Sequence, residues 1–401
     1  MVVEYKSLIT YQDLFSDSTN HFLRPFQKVV EQGISEGLSL DFEIIDRNRN
    51  KNINPIIEFA TINDAKAIVD IYLDIYESTY PYKEMESISE VRKMIQDPNY
   101  RWLLFKSPMN NKVLGCFTYH LDFKNKRGYM RGFNISPQYQ RKVDAMKALI
   151  GSMIKIWSEL KDKILIWYSE NRTAHTSSQY LANMCGIKPI AFLPNKDVFF
   201  NKVESDVMQI AYDLKALSLR RNDIIPKIIP EVINCFNYSN NRYKLGKIKK
   251  YKPKLGLDFQ EVKRLKKNIA ISVQKTEFDY YNIYISFKDV DNYLKFLYTP
   301  RVNNIEKVQY KINSSEELYA LLWMFKQFIS QMNIRYCEVF ISAYKPLHQQ
   351  LFYNFGLKPR GYIPCWQYDP DKNIFEDSIL FNWYYGKLND MILIDEAKML
   401  I

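Results

Sequence analysis

The chain has 401 residues, of which 47% are apolar and 25% charged, and it carries a net charge of +11. That length exceeds one hydrophobic core, so two or three domains are expected. No run of 18 apolar residues occurs, which argues against a membrane-spanning helix, and five scattered cysteines without CxxC spacing argue against a disulfide framework or a zinc site.

The opening residues, MVVEYKSLITYQDLF, lack the basic, apolar and small-residue order of a signal peptide. A reducing cytoplasm is therefore the expected location. Residues 1–55 read as an extension, with a helix predicted from about Thr19 to Gln32. Regular patterning starts at Ile56. IIEFAT is a strand. Asn63 and Asp64 then cap a helix that carries Ile68, Val69, Tyr72, Leu73 and Tyr76 at helical spacing. A short helix follows Ser89. YRWLLFK (100–106), KVLGCFTYHLDF (112–123) and RGYMRGFNI (127–135) are predicted strands. Asn110–Asn111 and Lys124–Lys126 supply the turns between them. A long helix is predicted from about Arg141 to Leu160, with Val143, Met146, Leu149, Ile150, Met153, Ile154 and Trp157 on its apolar face. ILIWYS from Ile164, a short helix ending at Gly186, and two more strands complete this half.

Two prolines in RRNDIIPKIIP break the pattern, which places a boundary near 213–225 and predicts units at 1–55, 56–213 and 214–390. In the second half NIAISVQ, YYNIYISF, NYLKFLY and KVQYKI are strand-like. Ser314–Ser315 with Glu317 can cap a helix bearing Leu318, Leu321, Leu322, Phe325, Phe328 and Ile329. Each half is expected to run strand, helices, three strands, helix, strand, helix, two strands.

The charge is uneven. Between Arg242 and Lys267 there are eleven Lys or Arg and two acids. Gly, Pro and Lys in this stretch predict a solvated connector. The same charge could meet nucleic acid, anionic lipid or an acidic partner.

The halves also share a repeat. GIKPIAFLP at 186–194 and GLKPRGYIP at 356–364 lie 170 residues apart, and Gln179 and Leu181 match Gln349 and Leu351 in the same register. VESDVM (203–208) answers FEDSIL (375–380) after a two-residue shift. An internal duplication is the expected origin. In each copy a helix stops at a Gly, which suits a left-handed C′ position.

This order of elements resembles the GNAT superfamily of acyl-CoA-dependent N-acyltransferases. In SPQYQRKVDAMKAL the residues Pro137, Tyr139, Gln140, Val143 and Ala145 fall on the family's P-x-Y-[RQ]-x-x-G-x-[GA] loop. Val143 stands where the family usually has Gly. Asn171 falls on the Asn that follows the fifth strand, and Ala182 stands where the family often has a Tyr that acts as general acid toward the leaving thiolate.

The resemblance implies an α+β fold: two tandem modules, each a mixed, mostly antiparallel twisted sheet flanked by helices. It further implies acetyl-CoA as acyl donor and a small-molecule or peptide amine as acceptor. The implied binding residues are Phe133, Asn134 and Ile135 beside the thioester, Gln140, Arg141, Lys142, Val143, Asp144 and Ala145 at the phosphates, and Asn171. A helix N-terminus with small residues is what a pyrophosphate needs. N-acylation also needs a base to deprotonate the amine. The candidates are Glu170 at the end of the fifth strand, His120 at the end of the third and His175 before the next helix. In the second half YKINSSEEL offers Glu316 and Glu317 to a phosphate, so that module is expected to be degenerate. No GxxxxGK[ST], HExxH or GxSxG occurs and no metal is expected. Two alternatives remain: a non-catalytic binding protein of two inactive modules, or a tRNA-dependent aminoacyltransferase that meets RNA through 242–267.

Overall fold

The computed structural model describes residues 6–9, 27–35, 42–45, 53–288 and 291–401. A strand pair, Lys6–Ile9 with Phe42–Ile45, and a helix, Gln27–Ser35, precede the first sheet. That helix covers 27–32 of the one predicted at 19–32. Residues 19–26 lie outside the described residues.

The first sheet is built from β1 (Ile56–Phe59), β2 (Tyr100–Lys106), β3 (Val113–Asp122), β4 (Arg127–Ile135), β5 (Ile166–Arg172), β6 (Lys188–Phe199) and β7 (Lys202–Tyr212). Its helices are α1 (Ala65–Tyr76), α2 (Ile88–Gln96), α3 (Ala145–Glu159) and α4 (Ser177–Met184). The sheet order is β1-β2-β3-β4-β5-β7-β6. Neighbours are antiparallel from β1 to β4, and β4 and β5 are parallel. The element order predicted from sequence is found here in full.

The second part has α5 (Ile233–Tyr243) and α6 (Phe259–Lys267), then β8 (Ile269–Lys275), β9 (Tyr281–Phe287), β10 (Tyr293–Thr299) and β11 (Asn304–Lys311). It continues with α7 (Ser315–Gln331), β12 (Tyr336–Ser342), α8 (Pro346–Asn354), β13 (Lys358–Asp369) and β14 (Ile374–Tyr384). The order β8-β9-β10-β11-β12-β14-β13 repeats the first sheet position for position. Again only the fourth and fifth strands among the paired neighbours are parallel. The fold is thus α+β, with two seven-stranded mixed sheets flanked by helices.

One expectation fails in the second half. Its helices precede the edge strand β8 rather than follow it, and residues 276–280 connect β8 directly to β9. Thr276 N–H donates to Tyr280 O at 2.7 Å, closing a hairpin whose connection holds only a three-residue 3-10 turn, Glu277–Asp279, in place of an α-helix. The basic segment also differs from a plain connector. Its lysines other than Lys266 are exposed, but Asp258 caps α6 by accepting from Gln260 and Glu261 N–H, and α6 turns Val262 and Leu265 inward.

Local chemistry explains the other boundaries. Asn111 and Lys126 take positive φ in the predicted turns. The helix expected from Arg141 begins at Ala145, because Arg141 is left-handed at φ +67° and Asp144 is the N-cap. Gly186 and Gly356 both have positive φ and both join a helix to the sixth strand of their sheet. Ser314 and Glu317 form the predicted capping box.

The chain divides into two compact units. One holds residues up to 171 with 176–189 and 209–218. The other holds 172–175, 190–208 and 219–401. In the first, Leu103, Phe105, Phe117, Tyr119, Met153 and Trp167 pack a core between α3 and the sheet. In the second, Phe236, Ile283, Phe296, Leu321, Phe325 and Phe352 do so.

Candidate active site

The parallel ladder between β4 and β5 is short. It pairs Arg127 with Ile166, Gly128 with Trp167 and Tyr129 with Tyr168, and then stops. Gly128 permits this approach, since a Cβ there would lie 2.2 Å from the Trp167 ring. Beyond it, residues 130–135 and 169–172 have no ladder partners across the gap, so the two strands part. On its other side β4 carries a bulge. Thr118 faces Arg131 and Cys116 faces Asn134, so Gly132 and Phe133 together oppose one residue of β3. Gly132 has φ +64° and a Cβ on it would lie 1.9 Å from Tyr72 Oη.

Side chains directly opposite one another in a sheet share a face. Tyr100, His120, Tyr129 and Tyr168 therefore form a row across four strands. His120 stacks on Tyr100 with ring centroids 4.6 Å apart, and Tyr129 stacks on Tyr168 at 4.9 Å. Glu170, one step past the end of the ladder on this face, accepts a hydrogen bond from Tyr129 Oη at 3.1 Å. The structure thus brings together Glu170 and the His120 row at the parting of the strands.

Arg131 lies on the same face of β4. Its guanidinium lies 5.2 Å from the Tyr82 ring centroid, and Nη2 is 3.7 Å from a Glu84 carboxylate oxygen. Tyr72, Tyr76 and Tyr80 cluster beside it, and Tyr76 Oη donates to Asn134 Oδ1 at 3.3 Å. Sequence reasoning passed over Arg131, Tyr80 and Tyr82, and read Tyr72 and Tyr76 only as residues at helical spacing. The available signal was a charge in the middle of RGYMRGFNI, together with the aromatic run after Tyr76.

The loop after β4 is tightly held. Gln140 Nε2 donates to Ile135 O at 3.2 Å. Val143 is buried in a bridge with Ile53, and the N–H groups of Lys142, Val143 and Asp144 donate to carbonyls of Tyr139 and Ile53. Asp144 accepts from Lys147 N–H at 3.1 Å. The N–H groups of Ala145 and Met146, in the first turn, have no partner within the helix. Arg141 and Lys142 are exposed beside them.

Two residues named from sequence have commitments elsewhere. The Asn171 amide donates to Ser169 Oγ at 2.9 Å and Gln209 Oε1 at 2.8 Å. His175 belongs to the other compact unit, where burial and then the Arg172 cation hold its imidazole below the ordinary pKa.

The equivalent place in the second sheet is built differently. The parallel ladder of β11 and β12 ends at Ile305 and Cys337. The next carboxylates, Glu306 and Glu338, bracket Lys196 Nζ at 2.8 and 3.3 Å, and Lys196 is 1% exposed. Glu316 and Glu317, expected to repel a phosphate, are turned to other tasks. Glu317 accepts from Asn313 N–H at 2.6 Å and Asn292 Nδ2 at 2.8 Å, and Glu316 accepts from Asp258 N–H at 3.1 Å. The loop instead borders a cavity of about 400 Å³ lined by Tyr310, Lys311, Ser314, Ser315, Lys345 and His348, among others. His348 is held down to about 4 by burial and then by the Lys345 cation, and it shares a 3.0 Å hydrogen bond with Tyr310.

No family model and no curated relative matches the chain. Among solved structures it is similar to a dodecameric form of spermidine N-acetyltransferase from Vibrio cholerae, at 14% identity and a TM-score of 0.34, covering 40% of this chain and 94% of that one. It is also similar to a mutant form of the spermidine/spermine N-acetyltransferase of the same organism, at 15% identity and a TM-score of 0.35, covering 40% and 95%.

Proposed function

We propose that this chain is an acyl-CoA-dependent N-acyltransferase of the GNAT kind, with the first module catalytic and a primary amine as acceptor. One observation carries the reading. The parted β4 and β5, the bulge at Gly132–Phe133 and the Tyr129-held Glu170 lie together on one side of one sheet.

Acetyl-CoA, the simplest donor, would supply an activated thioester carbonyl. Backbone N–H groups around Phe133, Asn134 and Ile135 would polarise that carbonyl; the end of the β4–β5 ladder supports this, because it leaves that stretch of β4 without ladder partners on the β5 side. Arg141, Lys142 and the first turn of α3 at Ala145 are the groups that suit its phosphates. Gln140 and Val143 hold that loop. Asp144 occupies part of the helix end, so the two exposed cations carry more of the recognition. Asn171 fixes the end of β5 from behind.

Glu170 takes the proton as the amine nitrogen attacks the carbonyl carbon. The C–N bond forms, the C–S bond breaks, and the thiolate leaves to be protonated. His120, directly across from Tyr129, is the remaining candidate for proton relay in this unit, whereas His175 belongs to the other one.

A second reading is favoured by the basic-lined cavity at His348 and Lys345, which would give a phosphate-bearing ligand to the second module. Calorimetric titration of acetyl-CoA into wild type, Ala145→Glu and Lys345→Glu separates the two. Loss of binding only in the Ala145 variant supports the first. Loss only in the Lys345 variant supports the second. No binding to wild type refutes both as acetyl-CoA sites.

A further inference from the structure

The face of the first sheet beneath α1 holds an unusual set of buried polar atoms. Tyr72 Oη, Arg131 Nη2, Asn134 Nδ2, Thr118 Oγ1 and Trp102 Nε1 have no hydrogen-bond partner among the described residues. Four of these side chains are more than nine-tenths buried: Thr118 and Tyr72 at 0%, Trp102 at 3% and Asn134 at 5% exposure. Trp102 pairs with Thr118 and Thr118 with Arg131, so those three share one face. Arg131 and Asn134 flank the bulge, and Tyr72 Oη sits against Gly132 inside it.

Buried polar groups are normally satisfied, and each orphan is costly. The composition here is one-sided. Indole N–H, guanidinium and amide are donors only at these atoms, while the two hydroxyls can also donate. Among the described residues the guanidinium's ion-pair partner is Glu84, at 3.7 Å from Nη2 and beyond hydrogen-bond length. A site that offers donors and lacks acceptors suits an oxyanion. A cationic group would meet Arg131 and be repelled.

We propose that this donor cluster binds a compact oxyanion carried by the acceptor, so that the substrate is an amine bearing a carboxylate or a phosphate. The proposal rests on the acyl-transfer reading for its placement beside the reacting amine. Arg131 supplies the charge, and Tyr72 Oη and Asn134 Nδ2 orient the oxygens. The aromatic rings of Tyr80 and Tyr82 shield the pair from water. Glu170, on the next strand of the same face, is left for the amine end.

Three small acceptors test it: ethanolamine, β-alanine and phosphoethanolamine. They share a primary amine at a similar spacing and differ in carrying no anion, a carboxylate or a phosphate. Calorimetry without acyl donor is expected to show binding of one or both anionic probes and none of ethanolamine. With acetyl-CoA the preferred anion should exceed ethanolamine in kcat/KM roughly tenfold or more. Arg131→Gln should erase that preference, and Arg131→Lys should restore part of it. Which anion wins identifies the source.

Equal binding of all three probes, binding of ethanolamine alone, binding of none, or an unchanged preference in Arg131→Gln would overturn the proposal. The donor-free arm stands apart from acyl transfer. Anion binding with no acetylation of any probe would sink the acyl reading and leave the oxyanion site intact.

Discussion

Tyr129 Oη donates to Glu170 Oε2 at 3.1 Å, one step past the last rung of the parallel β4–β5 ladder. The bond fixes a carboxylate where the β4–β5 ladder ends and the strands diverge. If Glu170 is the base, Glu170→Gln should lower kcat by about 10²- to 10⁴-fold while acetyl-CoA binding persists. Tyr129→Phe should cost less, because it removes only the positioning bond. Steady-state rates with an accepted amine decide this. A Glu170→Gln enzyme with wild-type kcat assigns the base elsewhere.

The phosphate end of the site gives a second expectation. Ala145 opens α3, and a larger acidic side chain there meets the pyrophosphate. Ala145→Glu should abolish acetyl-CoA binding with little effect on folding, since such a change at a helix end costs about 0.5 kcal/mol or less. Charge reversal of Glu316, which accepts from Asp258 N–H in the other module, should leave the affinity unchanged. Saturating donor at 100 times its dissociation constant should add about 2.7 kcal/mol to wild-type stability.

Lys196 supplies a stability prediction. Its ammonium is buried between Glu306 and Glu338, and Tyr336 Oη donates to Glu338 at 2.7 Å. Lys196→Met strands one buried and one partly buried carboxylate and should destabilise by about 3–5 kcal/mol. The triple change with Glu306→Gln and Glu338→Gln should recover much of that loss. Denaturant midpoints of the two variants give the comparison, and equal midpoints would show that the cluster is inert.

His348 gives a pH dependence. Its folded pKa of about 4 lies below the ordinary 6.5, so the unfolded chain binds its proton first. The neutral ring makes no pH-dependent difference above about 6.5. Stability should then fall as pH drops from 6.5 toward 4, and flatten below. His348→Gln should remove this slope from the pH profile of denaturation. A slope of the same size in that variant would mean that another group produces it.

The basic segment is tested by salt. Lys247, Lys249, Lys250, Lys252 and Lys254 are exposed and in no ion pair among the described residues. If RNA binds there, filter retention should fall steeply between about 50 and 200 mM salt. Retention that is absent at low salt removes the aminoacyltransferase alternative.

Much of this molecule was legible in the chain itself. Periodicity and turn residues are local properties, so the strands at 100–106, 113–122 and 127–135 and the Ser314–Glu317 capping box could be read from neighbours a few residues away. The duplication was legible for the same reason, because Gly186 and Gly356 each mark a helix end that needs a left-handed residue. Glu170 was read as the end of a strand that in the structure runs two residues further, to Arg172. What the chain could not display were relations between distant segments. Glu316 and Glu317 read as two charges facing a loop, but their targets, Asp258 N–H and Asn292, depend on packing. Lys196 reads as one lysine among many until β11 and β12 place a carboxylate on either side of it. Arg131, Thr118 and Trp102 meet only through the register of three strands, and Tyr72 reaches Gly132 only because the bulge carries a glycine, which has no Cβ in its way. Secondary structure follows from short-range sterics and patterning, whereas the satisfaction of a buried charge or donor is settled by whatever tertiary packing brings against it.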